Sequence, residues 1–163
     1  MGMVIYLRRA GAADIDRLIA TPTDFEEFVF EEAVDGADVI DFDKAWDALH
    51  FMLTDGGRTP HPLGLICEAL PELGADENGM DGFGVISPER MAAFAAALDK
   101  LDDATLAARY DPAAFVAADV YLADMFADEG AEALDYIMQG VPALRRFATT
   151  CRRTGDGAIR VIA

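Results

Sequence analysis

The sequence predicts an α+β fold: a small, mostly antiparallel sheet that includes the N- and C-terminal strands, packed with about seven helices. Three observations carry this expectation. Apolar, β-favouring runs stand near both chain ends, at residues 3–8 and 158–162. The helical segments cluster between strands instead of alternating with them, which disfavours a doubly wound parallel sheet. The 163 residues, 53% of them hydrophobic, suit a single domain over residues 1–163. Such a domain buries roughly 70% of the surface its unfolded chain exposes.

In chain order, residues 3–8 read as a strand, and Gly11 breaks it. Residues 12–20 carry Ile15, Leu18 and Ile19 at helical spacing, and Thr21-Pro22 stops that helix. The run T-D-F-E predicts a capping box, with Thr23 at the cap and Glu26 three residues on. Phe25, Phe28 and Val29 supply the buried side of the helix it opens, and Asp35-Gly36 ends the section. Asp41 or Asp43 caps the next helix, where an acid also suits the helix dipole.

That helix, D-F-D-K-A-W-D-A-L-H-F-M-L-T over residues 41–54, is the stretch around which the rest is organised. At ~100° per residue, Ala45, Leu49, Met52 and Leu53, preceded by Phe42, share a broad apolar face, while Lys44 and Asp47 point away. Trp46, the only tryptophan, and His50, one of two histidines, are four apart at the edge of that face. Asp43 and Asp47 flank His50 on the same edge.

Residues 55–62, D-G-G-R-T-P-H-P, form a loop in which Pro62 keeps His61 extended. The apolar run 63–67 reads as an interior strand, residues 71–82 as a second loop, and residues 83–86 as a short strand. Ser87-Pro88-Glu89 then starts a helix to about Leu101 that buries Met91, Phe94, Ala95 and Leu98. Asp102-Asp103 caps a short helix through Arg109, and Asp111-Pro112 caps another with Phe115 and Val116 inward. Residues 121–128 read as a connection with buried aromatics. Residues 129–139 are helical, Gly140 and Pro142 separate them from a last helix over 143–153, and Gly155 stops it. The strand at 158–162 closes the chain.

Composition narrows the function classes. A net charge of −17 repels phosphate backbones, so nucleic acid is excluded as a partner. Such a surface serves solubility, salt adaptation or recognition of a basic protein partner, for instance by an inhibitor or immunity-type module. No apolar run reaches the ~18–20 residues that span a bilayer. The first residues carry neither a secretory nor a myristoylation signal, so a cytoplasmic location and no membrane partner are expected. Cys67 and Cys151 lie far apart and read as reduced residues.

The best chemical constellation is His50 with Asp43 and Asp47, since a carboxylate beside an imidazole raises its pKa and orients one nitrogen. With Trp46, Asp111 and Tyr121 these are the candidate ligand-binding residues, for a small polar molecule at the Trp46/His50 edge. The competing reading is a boundary histidine packed on Trp46. A metal could draw on His50, His61 and Asp76, Glu77 or Asp81, but no HExxH is present and the D-E-N-G-M-D-G loop fails the EF-hand spacing. G-F-G at Gly82–Gly84 lacks the third glycine of a dinucleotide fingerprint. No cofactor, metal site or catalytic residue is therefore assigned. A non-catalytic interaction module is the leading expectation, and a small-molecule-binding or hydrolase-like protein the alternative.

These pieces together resemble the YfbM-like family of small uncharacterised bacterial proteins. The matching segments are the opening M-G-M, the block at 41–54, P-L-G after the loop, and G-F-G-V-I-S-P-E-R. A-A-R-Y-D-P, D-V-Y and an L-R-R-F helix ending in a glycine before a strand complete it. The likeness spans nearly the whole chain. It implies an α+β fold and a cytoplasmic location, and it implies no activity. In the family pattern the position of Asp47 is often a histidine, giving W-H-x-L-H, so this member lacks one of that pair.

Overall fold

A computed structural model describes residues 2–32, 36–75 and 82–163. Five strands, β1 (Ile5–Ala10), β2 (Val39–Asp41), β3 (Glu72–Leu73), β4 (Phe83–Ile86) and β5 (Gly157–Ile162), form one antiparallel sheet in the order β2-β1-β5-β4-β3. The two terminal strands lie at its centre, in register from Ile5 opposite Ile162 to Ala10 opposite Gly157. Gly157 is required there: a Cβ would collide with the Ile86 carbonyl oxygen of the neighbouring strand.

Alternation along β1 divides the core in two. Ile5 and Leu7 face a large helical layer, while Tyr6 and Ala10 face a smaller cluster built on Ile15, Leu18, Phe25, Phe28 and Val29. The smaller cluster comes from helix α1 (Ala12–Ala20), the 3₁₀ and π turns at Pro22–Asp24 and Glu27–Glu31, and Phe25 between those turns. The other face carries α2 (Trp46–Leu53), α3 (Pro88–Leu98), α4 (Asp103–Ala107), α5 (Pro112–Ala117), α6 (Ala123–Glu129), α7 (Ala131–Met138) and α8 (Val141–Thr154).

The expected caps at Ser87, Asp102 and Asp111 are present, each side chain accepting a backbone N–H three residues on. Gly155 closes α8 in the left-handed conformation, φ +72°. Other details differ. Thr23 caps nothing and its hydroxyl turns to Asp24; Pro22 sets a 3₁₀ start instead. Residues 63–67 are turns, although Leu63, Leu65 and Ile66 are buried as a strand's side chains would be. The run 121–128, read as a connection, is mostly helix α6, and Gly130 separates α6 from α7 within the stretch 129–139 that reads as one helix. Val116 is 46% exposed, not inward. Asp35 and the acids Asp76, Glu77 and Asp81 lie outside the described residues.

Arginines hold the helical layer together by donating to carbonyls at element ends. Arg109 reaches Met52 O and Leu53 O at the end of α2, and Arg145 reaches Leu98 O and Leu101 O past the end of α3. Arg160, on β5, donates to Leu65 O, Ile66 O and Glu68 O and so pins the turns that read as a strand. On the opposite face Arg8 donates to Phe28 O and Glu32 O and lies over the Phe28 ring at 4.5 Å. Last-turn carbonyls have no partner within a helix, and a guanidinium satisfies two at once.

Candidate functional site

Helix α2 positions the site. Its inner face buries Ala48, Leu49, Met52 and Leu53, and His50 is buried with them at 4% exposure. Trp46 turns outward from the first residue of the helix. Its ring stacks on Tyr121 at 5.6 Å, and its Nε1–H donates to the Met3 carbonyl at 3.0 Å. The Tyr121 hydroxyl accepts the Met3 N–H at 3.3 Å, so the aromatic pair clasps the segment ahead of β1.

Asp47 does not face open water as helical spacing predicts. The loop between α5 and α6 folds over it, and Oδ2 accepts the Tyr121 N–H at 2.8 Å. Oδ1 stands 4.0 Å from the Cys67 thiol. That loop is conformationally unusual: Asp119 and Leu122 both have left-handed φ, +55° and +61°. Such backbone is uncommon for a branched residue such as leucine.

Two concavities meet at Asp47 and Val120. The larger, about 610 Å³, is walled by Met3, Trp46, Tyr121 and Met125, with Asp119 and Asp124 at its edge. The smaller, about 280 Å³, is lined by His50, Phe51, Gly57, Thr59 and Cys67. Burial pushes His50 below its ordinary 6.5; the Asp47 charge and hydrogen bonding with the Gly57 backbone pull less strongly the other way. The imidazole is thus neutral near pH 7. Its Nδ1 has no hydrogen-bond partner among the described residues. Burial, with Asp47 adding to it, pushes the Cys67 thiol up to about 12, so it stays protonated and unreactive.

Of the six expected residues, Trp46, Asp47, His50 and Tyr121 meet at this cleft. Asp43 and Asp111 are engaged elsewhere. Asp43, at φ +45°, accepts the Tyr136 hydroxyl at 2.6 Å, and its own N–H goes to Asp41 Oδ1, the Asx contact that opens this segment. Asp111 caps α5. Helical periodicity missed Cys67, Thr59 and Asp119. Cys67 sits in an apolar run that carries no local sign of a site, while Thr59 belongs to the Gly-rich loop whose fold returns it to α2. His61 is likewise separate: its Nδ1 accepts the Leu63 N–H at 3.0 Å. Among the described residues, no three His, Cys, Asp or Glu side chains gather closely enough to hold a metal, and no helix is long and apolar enough to cross a membrane.

No curated protein matches the chain in sequence. Among solved structures it is similar to YfbM from Escherichia coli, a protein of unknown function. The TM-score is 0.71 at 22% identity, covering 98% of this chain and 99% of that one, a likeness of fold. The family described as "Domain of unknown function (DUF1877)" matches over residues 1–161, and the chain belongs to that family.

Proposed function

We propose that this protein is a non-catalytic binding module, acting as one domain over residues 1–163, whose site is the two-lobed cleft at Asp47 and whose ligand is a small polar molecule. One observation carries the reading: His50, neutral and nearly inaccessible, lines the cleft beside Asp47 while its Nδ1 has no hydrogen-bond partner among the described residues. An orphaned buried polar atom costs about 1–3 kcal/mol, and natural structures keep few of them. A ligand that completes it recovers that cost. The larger lobe has a volume typical of small-molecule sites and mixes aromatic walls with carboxylates. The protonated Cys67 thiol argues for binding over a hydrolase-like covalent step.

A second reading, recognition of a basic protein partner by an inhibitor or immunity-type protein in the bacterial cytoplasm, draws on charge. The net charge is −17, and Arg8, Arg109, Arg145 and Arg160 spend their guanidinium donors on internal carbonyls. A thermal-shift screen of a metabolite library tests the cleft. At least one compound is expected to raise the wild-type Tm and to leave His50→Ala unmoved. Equal shifts in both proteins, or none in either, would argue against it. Retention of a basic protein at low but not high salt would favour the second reading.

A further inference from the structure

We infer that the ligand of this cleft is an organic cation, an alkylammonium or guanidinium compound that gives its N–H groups to Asp47 and His50 and lays its apolar chain against Trp46 and Tyr121. The inference deepens the proposed function and rests on the cleft being a binding site.

The charged side chains that line the cleft among the described residues are all carboxylates, while Tyr121, Thr59 and Cys67 add neutral groups that can donate. Among the described residues, Asp47 Oδ2 takes one backbone N–H and Oδ1 has only the distant Cys67 thiol. A carboxylate has about four lone-pair sites, so most of its capacity is unused. A neutral imidazole has one N–H and one lone pair. Hydrogen bonding with the Gly57 backbone favours the protonated ring, as an N–H donated to a carbonyl does. We assign that N–H to Nε2 and the lone pair to Nδ1, which has no partner among the described residues. In the larger lobe, the Asp119 and Asp124 side chains have no ion pair or hydrogen bond among the described residues. Among the described residues, no lysine or arginine lines either lobe.

An anion would meet three carboxylates and no lysine or arginine among the described lining residues, with Arg160 acting on His50 and Cys67 only from behind the wall, and a neutral acceptor would leave Nδ1 orphaned. A donor with positive charge satisfies both lobes. The electron-rich faces of the Trp46 and Tyr121 rings attract the same charge, and Met3, Val116 and Met125 suit an aliphatic chain.

Trp46, the only tryptophan, reports occupancy directly through its fluorescence. Titration with 1,5-diaminopentane is expected to change its emission saturably, with pentane-1,5-diol and glutarate at least tenfold weaker. Asp47→Asn should weaken the diamine at least tenfold. The exposed pair Asp119→Asn/Asp124→Asn should weaken it at least threefold and carries the test if Asp47→Asn does not fold. Glu27→Gln/Glu31→Gln, on the opposite face of the sheet, should change it less than twofold. Tighter binding of the diol or glutarate would overturn the cation assignment and leave the cleft a binding site. No response to any of the three would overturn the assignment too, with the library screen then deciding the binding reading alone. Equal weakening by the Glu27/Glu31 pair would reveal a diffuse field and also overturn it.

Discussion

The Asp47 carboxylate accepts the backbone N–H of Tyr121 at 2.8 Å, joining helix α2 to a loop 74 residues further along the chain. This contact holds the wall between the two lobes of the cleft and brings the Tyr121 ring onto Trp46. Asp47→Ala should therefore do more than remove a charge. A hydrogen bond to a charged group contributes about 1.5–3 kcal/mol, so a loss of roughly 2 kcal/mol in urea unfolding is expected. Asp47→Asn keeps an acceptor and should lose less than half as much. Equal losses would mean that the Tyr121 contact contributes nothing.

His50 makes stability depend on pH with a definite sign. Burial holds the folded-state pKa below the ordinary 6.5, so the unfolded chain takes up the proton more readily. The contribution is present above about pH 6.5 and is lost as pH falls from there toward the folded-state value. The urea midpoint of wild type should drop further between about pH 7.5 and about pH 5.5 than that of His50→Gln. His61 is displaced in the same direction, by burial first and then by Arg58 and Arg109, so the comparison is made in a His61→Ala background that removes its contribution. Parallel profiles with and without His50→Gln would remove the buried histidine as the cause.

How much of this was readable from residues alone divides along a physical line. Local chemistry was legible: Ser87, Asp102 and Asp111 cap the helices they precede, because a cap needs only the residue and its next three neighbours. Helical spacing placed Leu49, Met52 and Leu53 inside. What spacing cannot show is which distant segment covers the other face. Asp47 reads as solvent-facing until the Tyr121 loop closes over it, and Asp43 reads as a neighbour of His50 although Tyr136 claims it. The turns at 63–67 imitate a strand because Arg160, from the far end of the chain, supplies the donors a neighbouring strand would have given.

Arg160→Met tests that substitution of a side chain for a strand. Methionine retains an apolar stem but donates nothing, leaving the carbonyls of Leu65, Ile66 and Glu68 without their shared partner. A destabilisation of about 3 kcal/mol is expected in urea, given 1–3 kcal/mol for each buried group left unsatisfied and partial rescue by water. Amide exchange should quicken in residues 63–68 first. A change below about 0.5 kcal/mol, the level of an ordinary surface substitution, would contradict the role given to Arg160.

Tyr136 offers a spectroscopic check on the Asp43 contact. Burial, helped by the hydrogen bond its hydroxyl donates to Asp43, pushes its pKa up to about 12. Ultraviolet titration of wild type minus Tyr136→Phe should show a phenolate that forms well above the ordinary value near 10. In Asp43→Asn the same transition should move down. A Tyr136 titration at the ordinary value in wild type would dissolve the contact.

The central claim, that the Asp47 cleft is where this protein meets its ligand, is tested most directly by proton–nitrogen correlation spectra recorded with pools of small metabolites. The lone indole resonance of Trp46 and the Tyr121 amide should move together for at least one pool, with Asp47→Asn abolishing both shifts. Shifts scattered over exposed acids while Trp46 and Tyr121 stay still, or no shift with any pool, would contradict it.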